Sequence, residues 1–378
     1  MDFVVVGAGF FGTTVAERLA SSGRRVLLLE QRNHIGGNCF SKINPETGVE
    51  CHEYGSHIFH TSNEEVWAYL NQFTGFNEYR HSVWTTYRGH VYSMPVNLST
   101  INNYYGINLK PFEVDAFIKK EVAKESITNP SNLEEKAISL IGRPLYEAFV
   151  RGYTIKQWEK DPRELSADII TRLPVRHNLN NRYFSDKYEG IPLDGYTSVF
   201  ARMLDHPRIE VRTGVDYFSL KDSLGDVPTL YTGPIDRFFD YRHGRLDWRT
   251  IEFKREIHNA QDYQGCTVMN YADESVPFTR IHEFKHYHPE RKHNNGTITF
   301  TEFSKIATPI DEPFYPVNTP RNDKLLNTYK EEMRLAGNVW FGGRLGSYRY
   351  LDMDDTVEAA LALASRIMAG ASPLLAHE

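Results

Sequence analysis

Gly7, Gly9 and Gly12 stand in the run Gly7-Ala8-Gly9-Phe10-Phe11-Gly12, directly after the apolar stretch Phe3 to Val6. Glycines at that spacing permit a tight strand-to-helix turn and let backbone N–H groups approach a pyrophosphate at a helix N-terminus. The spacing alone is a weak signal, and its continuation strengthens it. Ala16 and Leu19 fall on one helix face, Gly23 ends that helix, Val26 lies in a second apolar run, and Glu30 closes that run. A carboxylate there accepts hydrogen bonds from an adenosine ribose, so the chemistry expected is dinucleotide binding.

The segment after Glu30, Gln31-Arg32-Asn33-His34-Ile35-Gly36-Gly37-Asn38, gives an E-x5-G-G continuation that resembles the flavoproteins that include amine oxidases. A nicotinamide site does not require that second glycine pair, so the resemblance implies FAD. Near the other end, Phe341-Gly342-Gly343-Arg344 resembles the second FAD segment of those proteins. There, backbone and arginine meet the pyrophosphate, and the positive N-terminus of a following helix stabilises an anionic reduced flavin.

Further runs resemble the UDP-galactopyranose mutase family over nearly the whole chain. They are His34-Ile35-Gly36-Gly37-Asn38, Tyr54 to Thr61, Gly152 to Trp158, Tyr183-Phe184-Ser185-Asp186, Tyr231 to Asp236, and Gly342-Gly343-Arg344-Leu345. The resemblance implies an isomerase that interconverts UDP-galactopyranose and UDP-galactofuranose without net redox change. Reduced FAD would attack the anomeric carbon through N5 while UDP leaves, which is covalent catalysis by a cofactor.

The resemblance also assigns residues. Arg172, on a mobile lid, and Arg280 meet the diphosphate, and with His60 they form the expected catalytic set. Tyr153, Trp158, Tyr183, Arg249, Tyr315, Tyr350 and Asp352 are expected around the substrate. FAD is expected to contact Gly7, Gly9, Phe11, Gly12, Glu30, Gln31, Asn38, His57, His60, Gly343, Arg344, Tyr350, Asp352 and Met353. Preorganised arginines and hydroxyls suit a leaving diphosphate, on which charge develops. His60 points to plain galactose, because related N-acetylgalactosamine mutases carry arginine there. The chain departs from the family pattern at His81, where asparagine is usual, and at Phe314, where a second tyrosine is usual.

Two other readings stay open on the residues alone. The FAD fingerprint is shared with redox oxidases, and a sugar nucleotide such as UDP-N-acetylgalactosamine or dTDP-fucose would suit the same arginines. A flavin-free escort of prenylated GTPases has a related fold, but the intact Glu30 and Arg344 segments argue against it. His282, His286, His288 and His293 lie close together, and His286 and His288 would share a face on a strand. No cysteine or carboxylate sits among them at a ligand spacing, so no metal is expected, and a polar strand face followed by an Asn294-Asn295-Gly296 turn is the better reading. No second nucleotide fingerprint appears, which implies an external reductant, and the family resemblance implies a homodimer.

These side chains must be positioned by several elements. Residues 3 to 6 and 25 to 29 read as buried parallel strands around a helix with Val15, Ala16 and Leu19 inward. From Pro95 to Pro162 the periodicity is helical, in segments Phe112 to Glu125 and Leu133 to Gln157. Strand-like runs fill Val83 to Tyr92 and Tyr183 to Phe303, including Ile209 to Thr213, Thr267 to Asn270 and Thr297 to Phe303, where an antiparallel sheet is expected. Val339-Trp340-Phe341, a glycine turn and a helix from about Asp354 return to α/β character. The expected fold is therefore α/β: a Rossmann-like FAD domain (1–80, 193–238 and 316–378), a helical bundle (96–171), and a twisted antiparallel-sheet substrate domain (81–95, 172–192 and 239–315).

A chain of 378 residues exceeds the usual single core, which agrees with that division. Apolar residues at 40% and charged residues at 24% are those of an ordinary globular protein. A net charge of −6 leaves no footprint for nucleic acid. Three cysteines without a paired spacing suit a reducing cytoplasm, and no run approaches the ~18 apolar residues of a membrane span.

Overall fold

The computed structural model describes residues 1–170, 174–293 and 296–373. A five-stranded parallel sheet runs in the order Val339–Phe341, Thr229–Tyr231, Phe3–Val6, Val26–Glu30, Ile209–Thr213. Its central strands are apolar on both faces because both faces are covered. On one side Phe3, Val5 and Leu28 meet Val15 and Leu19 of the helix Phe10–Ser21 and Leu363 and Ile367 of the helix Met353–Met368. On the other, Val4, Leu27 and Leu29 meet Tyr231, Tyr329 and Phe341. Each such side chain removed from water contributes roughly 1.5–3 kcal/mol, and this sandwich fixes where the glycine loop must emerge.

Ile209–Thr213 does not belong to an antiparallel sheet, as its place in the chain suggested. It pairs in parallel with Val26–Glu30, Val26 opposite Ile209. Its alternating pattern fits a half-covered edge strand, and direction cannot be read from alternation alone.

A seven-stranded sheet has the order Tyr315–Pro316, Trp248–His258, Thr297–Ile306, Arg280–Glu283, Val268–Tyr271, Val83–Tyr87, His90–Met94. Its pairs are antiparallel except one: Val268–Tyr271 runs parallel to Val83–Tyr87, Met269 opposite Trp84. The hairpin Val83–Met94 comes from a distant part of the chain, so no tight turn dictates its direction.

The helical region comprises Leu98–Tyr105, Pro111–Val122, Leu133–Ile141 and a segment that reaches Trp158. The single helix expected over Leu133 to Gln157 is broken at Gly142, whose φ of 78° a side chain would strain. A π-type turn over Glu147–Arg151 then leads into Gly152–Trp158. Lys156 ties this last helix to the large sheet, its Nζ donating to the carbonyls of Tyr271, Asp273 and Phe278 at 2.5–3.0 Å. Among the described residues no helix is long and apolar enough to cross a membrane.

Candidate active site

A cavity opens at the carboxyl ends of the parallel strands, where α/β sheets of this kind bind nucleotides. Gly7, Gly9, Phe11, Gly12, Glu30, Gln31, Asn38, His57, Gly343, Arg344 and Met353 all line it. Gly9 caps the helix Phe10–Ser21, and a Cβ added to it would meet nothing nearer than Gly37 Cα at 3.9 Å. Gly12 has no such room: its Cβ would lie 2.0 Å from the Gly7 carbonyl oxygen. The second glycine pair packs on the first, since Gly36 N–H donates to the Ala8 carbonyl at 2.8 Å and Gly37 faces Gly9.

Glu30 is held at the strand tip by its own loop. Ala8 N–H and Arg32 N–H each donate to its carboxylate at 2.8 Å. An acidic group fixed there and a glycine loop with space for a diphosphate are what an adenine dinucleotide requires, so the residues fit the FAD read from the sequence.

His57 lines the cavity wall, its Nδ1 2.8 Å from the Gly55 carbonyl, and burial lowers its pKa to about 4, so it stands neutral. Sequence reasoning did not pick out Thr232, Asp216, Arg237 and Thr356, which also line the cavity. Thr232 lay within a quoted motif. Arg237, which reaches Gln31 at 2.8 Å and Asp216 at 2.7 Å, gave no signal of its own.

Arg344 links this cavity to a second group of residues. Its guanidinium is 5.0 Å from the Tyr350 ring and 5.6 Å from the Tyr315 ring, while its N–H groups donate to the carbonyls of Leu351 and Phe314. Tyr315 and Tyr350 stack at 5.9 Å. Asp352, at the N-cap of Met353–Met368, acts on the Tyr350 hydroxyl. Arg280 acts electrostatically on Tyr153, Tyr183 and Tyr315. Burial pushes the Tyr153 hydroxyl up to about 12 and Arg280 opposes it, so these phenols remain protonated donors. Tyr350 and Asp352 belong to this cluster and are not among the residues lining the dinucleotide cavity.

His60 also lies off that cavity. It stacks on Phe184 with ring centres 3.6 Å apart, and its Nδ1 is 2.9 Å from Asp186, which also accepts from Ser62. Trp158 ends its helix, and its carbonyl accepts from Arg249 at 3.3 Å. Arg249, expected beside the substrate, is only 2% exposed and pairs with Glu159 and Ser304. A guanidinium that far from bulk water takes its partners from the protein. Arg172 lies outside the described residues.

The two departures from the expected pattern are both buried. His81 bonds Tyr79 through Nδ1, and burial lowers its pKa to about 3; Phe314 packs beside Tyr54.

The histidine group does not form a polar strand face. Arg280–Glu283 ends as a strand and His286 lies in a short helical turn, while His288 turns to Glu290 and Glu50. The fold brings Asp262 and Glu283 to His286, yet the Glu283 carboxylate is already taken up by Tyr263 N–H, Gln264 N–H and Thr297 Oγ1. The turn expected at Asn294-Asn295-Gly296 falls partly outside the described residues.

The comparisons with known proteins agree with this geometry. The family model for UDP-galactopyranose mutase matches residues 148–350, and one for an NAD(P)-binding Rossmann-like domain matches residues 5–73. The chain is 42% identical to a probable UDP-galactopyranose mutase of Klebsiella pneumoniae, over 97% of this chain and 94% of that one. It is 40% identical to a dTDP-fucopyranose mutase of Escherichia coli, over 95% and 96%. A crystal structure of reduced UDP-galactopyranose mutase superposes with a TM-score of 0.73 at 17% identity, covering 98% of this chain and 96% of the other, and shows the shared fold. With the family model spanning more than half of the chain and relatives of 40–42% identity spanning nearly all of it, the chain belongs to the UDP-galactopyranose mutase family.

Proposed function

We propose that this protein interconverts UDP-galactopyranose and UDP-galactofuranose, with FAD that must be reduced. The observation that carries the reading is Arg344: one side chain lines the dinucleotide cavity and lies against Tyr315 and Tyr350 of the arginine–tyrosine cluster. Cofactor and substrate would therefore meet at one wall.

Bound FAD in its reduced form supplies a nucleophile for the anomeric carbon. The chain supplies the rest. Arg280 and Arg172 hold the diphosphate and stabilise the charge that develops as it leaves, and the hydroxyls of Tyr153, Tyr183, Tyr315 and Tyr350 add neutral donors. His60, with Nδ1 engaged by Asp186, presents Nε2 toward the sugar. Trp158, braced by Arg249, borders the nucleotide. We further propose a homodimer served by an external reductant in the cytoplasm.

The test is a product assay with the FAD-loaded protein. UDP-galactofuranose should convert to UDP-galactopyranose after dithionite is added, and equal turnover with oxidised flavin would overturn the reading. Peroxide release in step with substrate loss would favour an oxidase. The E. coli relative makes dTDP-fucopyranose the first alternative substrate, with UDP-N-acetylgalactosamine the second, and the panel decides among them.

A further inference from the structure

Of the four clustered histidines, His282 has a place that no metal or surface role explains. It is fully buried, with Nδ1 2.6 Å from Ser56 Oγ and Nε2 3.0 Å from Glu302 Oε2. The carboxylate can only accept, so Nε2 carries the proton. Burial lowers the His282 pKa against the opposing pull of Glu302, the ring is neutral, and Nδ1 accepts from the Ser56 hydroxyl. Glu302 is 1% exposed, and its other oxygen, Oε1, accepts from Arg280 Nε at 2.8 Å and from Thr279 Oγ1 at 3.1 Å.

Sheet register explains how this forms. Arg280 lies directly opposite Glu302 on the neighbouring strand, and His282, two residues on, shares the face of Arg280.

The consequence concerns Arg280. A guanidinium beside a free carboxylate prefers a fork, two parallel N–H···O bonds through Nε and one Nη. Here Oε2 is turned to the imidazole, and Arg280 is attached through Nε alone. Among the described residues neither of its Nη groups has a hydrogen-bond acceptor, and the side chain remains 26% exposed while Glu302 is sealed. Ser56 anchors the far end of the chain, on the same turn as His57 in the wall of the dinucleotide cavity.

We propose that His282 is a positioning residue for Arg280: by holding Oε2 of Glu302 it turns the carboxylate out of the fork geometry and keeps both terminal NH2 groups of Arg280 directed at the diphosphate of the nucleotide substrate. This rests on the sugar-nucleotide reading above. Glu302 sets the imidazole tautomer and holds the arginine without neutralising its reach, and Ser56 donates to the other ring nitrogen.

The experiment is calorimetric titration of UDP into the FAD-loaded full-length protein, with steady-state kinetics in parallel. In His282→Leu the freed Oε2 captures an Nη of Arg280, and UDP binding should weaken at least about tenfold, the loss of one charge-assisted hydrogen bond. KM should rise with it while kcat changes less. His282→Gln, whose amide nitrogen takes the place of Nε2, should restore binding to near the native value. His282→Asn, whose amide reaches Ser56 but not Glu302, should bind as poorly as the leucine variant. The Gln and Asn variants keep a polar group at the site, so their comparison holds even if His282→Leu loses FAD. Equal UDP affinity in the Gln and Asn variants would overturn the proposal, as would native affinity in a folded His282→Leu protein. Failure of the native protein to bind UDP would instead sink the functional reading, and this inference with it.

Discussion

Arg249 Nη1 reaches Glu159 Oε2 at 2.7 Å and also donates to the carbonyl of Trp158, so one buried guanidinium closes the end of the helix that carries Trp158 and Tyr153. Glu159 caps that helix in a left-handed conformation, with φ of 52°. Tyr153 and Trp158, both proposed to meet the substrate, are thus held by one buried guanidinium. Arg249→Met should leave FAD content unchanged and lower turnover, by up to about 100-fold if the helix end shifts by an ångström. Glu159→Gln, which keeps an acceptor, should be milder. Turnover and flavin absorbance measured on both variants check this, and native activity in Arg249→Met would remove the bracing role.

Arg280→Ala should lose about 10²–10³-fold in turnover, the cost of removing a donor aimed at developing charge. Arg172→Ala should lose most turnover as well. In both, FAD should remain bound: Arg280 does not line the dinucleotide cavity, and Arg172 is proposed to meet the substrate diphosphate rather than the cofactor. The ratio of flavin to protein absorbance and the rate of furanose-to-pyranose conversion separate these outcomes.

Gly12→Ala acts on the cofactor instead. The new Cβ would fall 2.0 Å from a backbone oxygen that cannot move without opening the loop. Purified protein should carry little or no flavin, and substrate turnover should vanish with it. A yellow, active Gly12→Ala protein would contradict the placement of the diphosphate against this turn.

Stability should fall in acid. His57 is held near 4 by burial, against an ordinary 6.5. Glu302 is pushed up by burial, but Arg280 and His282 outweigh this and hold it near 2 against 4.5. Each binds fewer protons folded than unfolded, so its contribution is fully present above the unfolded value and is lost as pH drops toward the folded one. The slope is at most about 1.4 kcal/mol per pH unit for each group. The urea midpoint, at constant FAD loading, should decline below pH 6.5 from His57 together with the likewise depressed His81 and His282, and between 4.5 and 2 from Glu302. His57→Asn should lessen the decline between pH 6.5 and 4 without abolishing it, and leave the Glu302 window unchanged.

Much of the cofactor site was legible in the sequence because its determinants are local. Gly7, Gly9, Gly12 and Glu30 act through one turn and the strand that follows, and spacing along the chain is spacing in space. The parallel strands Phe3–Val6 and Val26–Glu30 were legible for the same reason: a continuous apolar run needs two covered faces. The tyrosines and Arg280 carried no such signal, and only the family resemblance singled them out.

Long-range pairing was decided elsewhere. Ile209–Thr213 joined the parallel sheet, and Val83–Tyr87 took a parallel partner, because strand direction depends on which edge is free when distant segments meet. Arg249 turned inward to Glu159, Ser304 and the Trp158 carbonyl. The clustered histidines were scattered to Glu302, Glu283 and Glu290 by sheet register and a helical turn. By itself the sequence determined a glycine loop, an acidic strand tip and the cofactor class they suit. Only the tertiary structure decided that Arg344 joins that cavity to Tyr315 and Tyr350, and that Glu302 lies opposite Arg280, since these side chains are brought together by packing and sheet register that no local pattern encodes.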